Sequence, residues 1–436
     1  MAYDIIIGRD ESDKEKFGDR GLVMLGKGYV RMGNYTSLSN KIWMDVARSH
    51  VILVAGKRGS GKSYTLGTIA EELSNLDPEA AKNIAPLIFD TMGIFWTMKY
   101  KNEKDKPLLD KWGLKSQNLP VKVFVPFGKE KEYLEKSIPF DKTFALKPSE
   151  LDAEDWITLF DLQMTSLPGV LLSRAVTELH EKKSAFTIED IQKEIKSDRE
   201  ASKETKEIVS SLFSAATTWG IFSTSKEGTE IRDLVNAGTT TVLDVSIYSS
   251  VGAFNVRALV ISLVSRKLFE TRMDARKKEE LEALQHGQDY LSYKTARKEP
   301  LVWIFIDEAH EFLPKEGKTP ATDALVQILR EGRQPGISLV LATQQPGQIH
   351  KDVMTQSDIV LAHRLTAQPD IEALNQIMQT YLLENIKQQI DNLPPEKGAA
   401  IILDDNSERI YPIRVRPRFT WHGGEAPTAV KADVKF

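Results

Sequence analysis

Lys62 and Ser63 close an eight-residue stretch, Gly56-Lys57-Arg58-Gly59-Ser60-Gly61-Lys62-Ser63, whose residue types suit the gripping of a phosphate chain. The glycines let successive backbone N–H groups curl around an anion, and a helix that starts at the end of the loop adds the positive end of its dipole. A lysine in that place reaches the β- and γ-phosphates, and the hydroxyl beside it can ligate magnesium. The spacing is the Walker A pattern, and its setting agrees: residues 51–55 are a continuous apolar run fit for a buried strand, and residues 64–76 have helical periodicity. Gly56, Arg58, Gly59, Ser60, Gly61, Lys62, Ser63 and Tyr64 are therefore the candidate ATP ligands.

Such a loop needs an acid at the end of another core strand, and the apolar run 301–306 ends in Asp307-Glu308. Asp307, with Ser63, is the expected magnesium partner, and Glu308 is placed to orient and deprotonate water for attack on the γ-phosphate. A nucleotide switch without turnover would not need Glu308, so hydrolysis is favoured over binding alone. Arg330 and Arg333 lie three apart, on one face if the segment is helical, and arginine suits the neutralising of charge on a transferring phosphoryl group. The strand-like run 339–342 ends in Thr343-Gln344-Gln345, and Gln344 is the candidate sensor of the γ-phosphate or the attacking water. Asp90, at the end of the run 85–89, either contacts the site or caps the following turn. Asp307-Glu308-Ala309-His310 also spells the signature of a helicase class built on two tandem motor domains. Here one sheet carries every motif, so those four letters are read as a coincidence.

The elements that must position these residues alternate. Strand-like runs at 51–55, 85–89, 121–125, 240–245, 302–306, 338–342 and 399–403 are interleaved with helical patterns, which implies an α/β fold of the P-loop NTPase (RecA-like) kind, a mostly parallel sheet covered by helices on both faces. Residues 1–40 read as a small N-terminal β-module, 41–147 and 223–420 as the ATPase core, 148–222 as a helical insertion and 421–436 as a polar tail. The run 399–403 is expected to open an edge hairpin. A long helix is expected over 255–273, followed over 272–297 by a charge-rich, solvated connection.

Composition sets the class. With 436 residues, 41% of them hydrophobic, and no cysteine, the chain can bury a full core without disulfides or thiolate metal sites. Its longest apolar runs are too short to cross a bilayer and its first twenty residues are not secretory in pattern, so a cytoplasmic protein without membrane insertion is expected. The 58 basic and 62 acidic residues give a net charge of −4, which shows no overall bias toward nucleic acid. A ring can confine its basic residues to a channel, so distribution matters more than the sum.

Taken together, the motifs resemble the HerA-like branch of the HerA/FtsK family of ring-forming motors. The resemblance runs from about residue 26 to 424. It rests on residues 56–63, on Asp90 and Gly93, on Val242-Leu243-Asp244-Val245-Ser246, on Ile306-Asp307-Glu308-Ala309-His310-Glu311-Phe312, on Arg330-Glu331-Gly332-Arg333, on Ala342-Thr343-Gln344-Gln345-Pro346 and on the closing Val415-Arg416-Pro417-Arg418-Phe419-x-x-His422-Gly423-Gly424. It implies a homo-oligomer, a hexameric ring, that translocates along or unwinds double-stranded DNA with ATP and Mg2+, often beside a nuclease partner in DNA end processing or defence. By the same resemblance Gln344 is the sensor and Arg333 the arginine finger acting on a neighbouring subunit, with Arg330 the weaker candidate. The stretch before Gly56 is shorter than the family's usual N-terminal barrel, so a shortened barrel is expected. The alternatives are a conjugation- or secretion-type ATPase, and a nucleotide-controlled scaffold for a partner protein that moves no DNA.

Overall fold

The structure is a computed structural model that describes residues 4–32, 35–249, 254–285, 297–378 and 386–424. Its strands, in chain order, are β1 (Ile5–Ile7), β2 (Leu22–Met32), β3 (Tyr35–Asp45), β4 (Val51–Ala55), β5 (Ile84–Asp90), β6 (Val121–Pro126), β7 (Lys142–Phe144), β8 (Thr240–Asp244), β9 (Leu301–Ile306), β10 (Ile337–Thr343), β11 (Ile359–His363), β12 (Ala399–Asp404) and β13 (Arg409–Val415). They form a single sheet in the order β1-β3-β2-β13-β12-β11-β4-β10-β9-β5-β8-β6-β7. From β11 through β7 every neighbour pair is parallel. Beyond β11 the pairs through β12, β13, β2 and β3 are antiparallel.

Parallel strands need covering on both faces, and the sequence supplies it by making both alternating sets of side chains apolar. In β4, Val51, Leu53 and Ala55 enter one hydrophobic layer while Ile52 and Val54 enter the layer on the opposite face. The expected α/β fold with a mostly parallel sheet is therefore the observed one. The hairpin of β12 and β13 is not at an edge as expected, because β2 pairs with β13 and carries β3 and β1 outside it. The N-terminal strands thus extend the ATPase sheet. Apolar alternation alone cannot tell an outer strand from one that a distant segment later covers.

Between β7 and β8 the chain folds helices over Ala153–Leu159, Leu167–Lys182, Ile188–Ser197 and Lys203–Thr218. Each start is written locally. Asp152 with Asp155 and Thr187 with Asp190 form reciprocal capping boxes, and Ser166 and Ser202 accept from Gly169 and Thr205, satisfying donors that a helix N-terminus leaves open. Trp156 packs against Phe160, Phe213 and Phe222 in their midst. The long helix runs over Phe254–Gln285, so the expected connection starts later than residue 272. Its charges are compatible with helix because they pair along it, Arg276 with Glu280 and Arg272 with Glu279, and Ala283 is buried. Residues 286–296 and 425–436 lie outside the described residues. Among the described residues no helix is long and apolar enough to cross a membrane.

Candidate active site

At the C-terminal end of β4 the chain turns through the glycine-rich loop and enters the helix Lys62–Ser74. Two backbone features require glycine there. A Cβ on Gly56 would lie 2.5 Å from Ser60 Oγ and 2.7 Å from His363 Cβ. Gly61 caps the helix at φ 115, ψ 11, a left-handed conformation that L side chains rarely adopt. The cradle is anchored by Gly56 N–H donating to Thr343 O at 3.2 Å and Lys57 N–H to Arg364 O at 2.9 Å, so β10 and β11 fix its walls. Lys62 is 6% exposed, and its Nζ reaches no further than Lys57 O at 3.4 Å. Arg58 and Lys57 stand exposed at the tip of the loop.

The acids arrive from β9. Ser63 Oγ donates to Asp307 Oδ2 at 2.5 Å, so the hydroxyl and the carboxylate sit side by side at the helix start. Burial pushes the Asp307 carboxyl up, opposed by the Ser63 hydroxyl and Lys62. Glu308 follows in a left-handed conformation, φ 51 and ψ 45. A non-glycine residue held there costs about 1–3 kcal/mol and persists where its surroundings enforce it. Burial, with Asp307 next to it, pushes its carboxyl up to about 7. Glu308 Oε2 is buried with no hydrogen-bond partner in the protein, and so is Ser60 Oγ. Orphaned polar atoms in a glycine cradle, beside a buried lysine, are what a phosphate chain, its metal and an attacking water would satisfy. These donors therefore fit ATP and Mg2+.

Gln344 begins just beyond β10, half-buried, and its backbone N–H draws the Glu308 carboxyl down. Asp90 turns both oxygens onto the turn after β5, accepting from Met92, Gly93, Ile94 and Phe95 at 3.2, 2.7, 3.2 and 2.7 Å; of its two sequence readings, the cap is the one the structure displays. Tyr64 faces away from the loop. Its hydroxyl accepts from Arg418 N–H at 2.7 Å and its ring meets His422 edge-on. Arg330 and Arg333 are not brought to this site within the subunit. Arg330 lies in the last turn of the helix Thr322–Glu331 and Arg333 just past its end, on the way to the N-terminal end of β10, a strand spanning about 20 Å; Arg330 Nε pairs with Asp352 at 2.6 Å and Arg333 with Asp358 at 3.5 Å.

Sequence reasoning missed two histidines. His310 belongs to the tetrapeptide that the sequence reads as a coincidence, yet its Nδ1 lies 3.1 Å from Thr343 Oγ1 and 3.6 Å from Glu308 Oε2. Burial and Lys62 hold it below its ordinary value. His363 ends β11, a strand absent from the sequence reading, and sits under Gly56. Its Nδ1 faces the carbonyl of Ala399 at 3.1 Å, so Nδ1 carries the hydrogen and Nε2 accepts from Thr65 Oγ1 at 2.9 Å. Burial, with help from Lys62, pushes it down to about 4, so it stays neutral beneath the loop. The signal for β11 was there: Ile359-Val360-Leu361-Ala362 is as apolar and β-branched as the runs that were read.

Known proteins resemble this chain in sequence and in fold. Residues 253–368 match the model of the zonular occludens toxin (Zot) family. The probable DNA double-strand break repair helicase HerA of Methanocaldococcus jannaschii is 35% identical over 78 residues, 18% of this chain and 15% of that protein. The DNA double-strand break repair helicase HerA of Pyrococcus furiosus is 26% identical over 145 residues, 32% and 24% of the two chains. The matched stretches thus cover less than a quarter of either relative. Among solved structures, VirB4 of Thermoanaerobacter pseudethanolicus superposes with a TM-score of 0.55 at 13% identity, over 90% of this chain and 96% of that one. The bacterial conjugative coupling protein TrwB gives 0.51 at 13%, over 88% and 90%; both likenesses are of fold. Residues 30–268, more than half of the chain, match the family described as the central domain of helicase HerA, and the chain belongs to that family as a HerA-like ATPase of the HerA/FtsK superfamily.

Proposed function

We propose that this protein is an ATP-hydrolysing ring motor that translocates along or unwinds double-stranded DNA. The observation that carries the reading is the division of parts across the sheet. Lys62, Ser63, Asp307 and Glu308 converge at the C-terminal ends of the central strands, while two half-exposed arginines stand toward the opposite, N-terminal end of β10, so a subunit has the means to bind and cleave but lacks the arginine until a neighbour supplies it. The names of the curated relatives, DNA double-strand break repair helicases, support duplex DNA as the track; a hexamer and a nuclease partner in end processing are what the family resemblance implies.

In the proposed reaction the loop N–H groups and Lys62 hold the β- and γ-phosphates. Ser63 and Asp307 would hold Mg2+, which supplies charge neutralisation on the phosphate oxygens. Glu308 accepts the proton of a water whose oxygen attacks the γ-phosphorus as the bond to the ADP oxygen breaks. The free Oε2 gives that water its acceptor, and the left-handed backbone turns the carboxyl toward it. Gln344, fixed by its backbone beside Glu308, senses the γ-phosphate. Arg333 of the adjacent subunit balances the charge of the transferring group, and Arg330 stands behind it. Neither Lys182 nor Lys183 is a free basic grip, since they pair with Glu178 and Glu194 and with Asp190, so contact with DNA is sought elsewhere.

The test is steady-state ATP hydrolysis with and without linear duplex DNA across a salt series, with Lys62→Ala as blank. Stimulation that salt abolishes ties phosphate-backbone binding to the motor. Turnover indifferent to DNA at every salt concentration would leave an ATPase and sink the DNA motor, redirecting the search to a protein substrate or a scaffolded partner.

A further inference from the structure

Five charged side chains form a line that ends in Arg333. Arg9, beside β1, donates through Nε to Asp45 Oδ1 at 2.6 Å, and its guanidinium also serves the carbonyls of Gly18, Arg20 and Gly21. Asp45 Oδ2 lies 3.1 Å from His50 Nε2, and His50 Nδ1 lies 2.6 Å from Asp358 Oδ2. A carboxylate can only accept, so both ring nitrogens of His50 carry hydrogens and the ring is an imidazolium. Asp358 Oδ1 accepts from Val51 N–H at 2.8 Å, and its Oδ2 lies 3.5 Å from Arg333 Nη2. The first four side chains are buried, and Arg333 alone is exposed, at 57%.

The charges decide what this line can do. Arg9, Asp45, His50 and Asp358 alternate in sign and sum to zero, so the buried part is balanced without Arg333. Asp358 is also fixed from two sides before Arg333 meets it. Its hold on Arg333 is a single long contact at the surface, of a kind worth little as stability. Such a contact can bias where a long side chain points without preventing it from leaving for a phosphate, and in catalysis orientation is worth far more than the contact energy.

We propose that Asp358, set in place by His50, is a positioning residue that aims Arg333 from the N-terminal end of the central strands into the active site of a second copy of this chain, and that Asp45 and Arg9 tie this aim to the N-terminal strands. This rests on the proposed trans role of Arg333. The strand β4 that starts at Val51 leads into the nucleotide loop, so the residue that aims the finger also grips the strand that carries the subunit's own phosphate cradle.

The experiment mixes full-length subunits. Lys62→Ala subunits cannot hydrolyse but can donate a finger, and Arg333→Ala subunits can hydrolyse but need one. The mixture should recover ATPase activity. With Asp358→Asn added to the Lys62→Ala donor, recovery should fall at least about tenfold. With Asp358→Asn added instead to the Arg333→Ala acceptor, the loss should be clearly smaller. A structural role through Val51 would act on the acceptor's own cradle and give the opposite ranking, which would overturn the inference. Equal recovery with either donor would overturn it too, leaving the finger intact. No recovery with the plain Lys62→Ala donor would remove the finger itself and this inference with it. If Asp358→Asn does not fold, His50→Gln replaces it: glutamine can still donate to Asp358 but carries no charge, and the same donor-over-acceptor ranking is expected.

Discussion

Glu308 sits where its own charge is unwelcome. A carboxyl raised from 4.5 to about 7 by burial and by Asp307 carries about 3 kcal/mol of unfavourable interaction when ionised. Solvent at the partly open site screens this to about 1–2 kcal/mol. The folded state disfavours the anion that the unfolded chain tolerates above pH 4.5. The wild type therefore loses stability as pH rises through 7 and regains it as pH falls toward 4.5. Glu308→Gln removes the charge, keeps the shape and keeps the left-handed backbone, so at pH 8 the ligand-free variant should be more stable by about 1–2 kcal/mol. The gap should close toward pH 4.5. Urea unfolding of both proteins at the two pH values measures it. The same variant should bind ATP and lose turnover, because the proton acceptor is gone. A variant equally or less stable at pH 8 would mean that Glu308 is not held against its charge, and unimpaired hydrolysis would remove it from the chemistry; either result refutes the reasoning.

If the free enzyme must hold Glu308 ionised to accept a proton, kcat/KM for ATP should climb as pH passes through about 7 and then level; a flat profile from pH 6 to 8 would assign the base elsewhere. Glu71 lies fully buried on the nucleotide-loop helix and takes Arg416 Nη1 at 2.9 Å, Phe419 N–H at 2.9 Å, and Thr420 N–H and Oγ1 at 3.0 and 2.7 Å. Glu71→Ala leaves Arg416 buried without this partner and should cost about 3–5 kcal/mol in chemical denaturation. Gly67, on the same helix, is the floor for Arg418: a Cβ there would fall 2.5 Å from Arg418 Cζ. Gly67→Ala should therefore destabilise by about 1–3 kcal/mol despite alanine's better helix propensity, and a stabilised variant would show that the closing segment docks loosely.

What was legible in the sequence was what is local. Residues 56–63 announce their chemistry because all eight are consecutive and glycine is demanded by backbone geometry. Asp307 and Glu308 are readable because the strand before them is a pure apolar run. What was not legible depends on segments that meet only after folding. His363 is 302 positions from Gly61 in chain order yet lies under it, and His310 matters through Thr343 and Glu308, not through the letters around it. The N-terminal strands look like a module of their own until β13 is seen to pair with β2. Residues 274–285 read as solvated connection because their charge hides an amphipathic need that the ion pairs along the helix meet.

The closing motif shows how long-range contacts can serve the site without touching it. Arg416 and Arg418 are two cations fully buried in the same place, an arrangement that costs far more than apolar packing unless each donor is answered. Within the segment itself Thr420 Oγ1 and His422 Nδ1 meet the Arg418 guanidinium at 2.9 and 3.3 Å. One helix supplies the other partners: Glu71 and Glu72 pair with Arg416, Thr68 O accepts from it, and the Tyr64 hydroxyl accepts the Arg418 backbone N–H. Those helical partners lie on the helix that begins at Lys62, so the segment around Arg416–Thr420 fixes the axial position and rotation of the element whose first turn carries Lys62 and Ser63. The C-terminal segment follows β13, which joins the N-terminal strands to the sheet, and those strands reach Asp358 through Asp45 and His50. On the proposed reading, both halves of the shared catalytic site, the cradle and the donated arginine, are therefore held by the antiparallel side of one sheet. A displacement there would move them together, which neither the loop motif nor the arginine pair could have signalled alone.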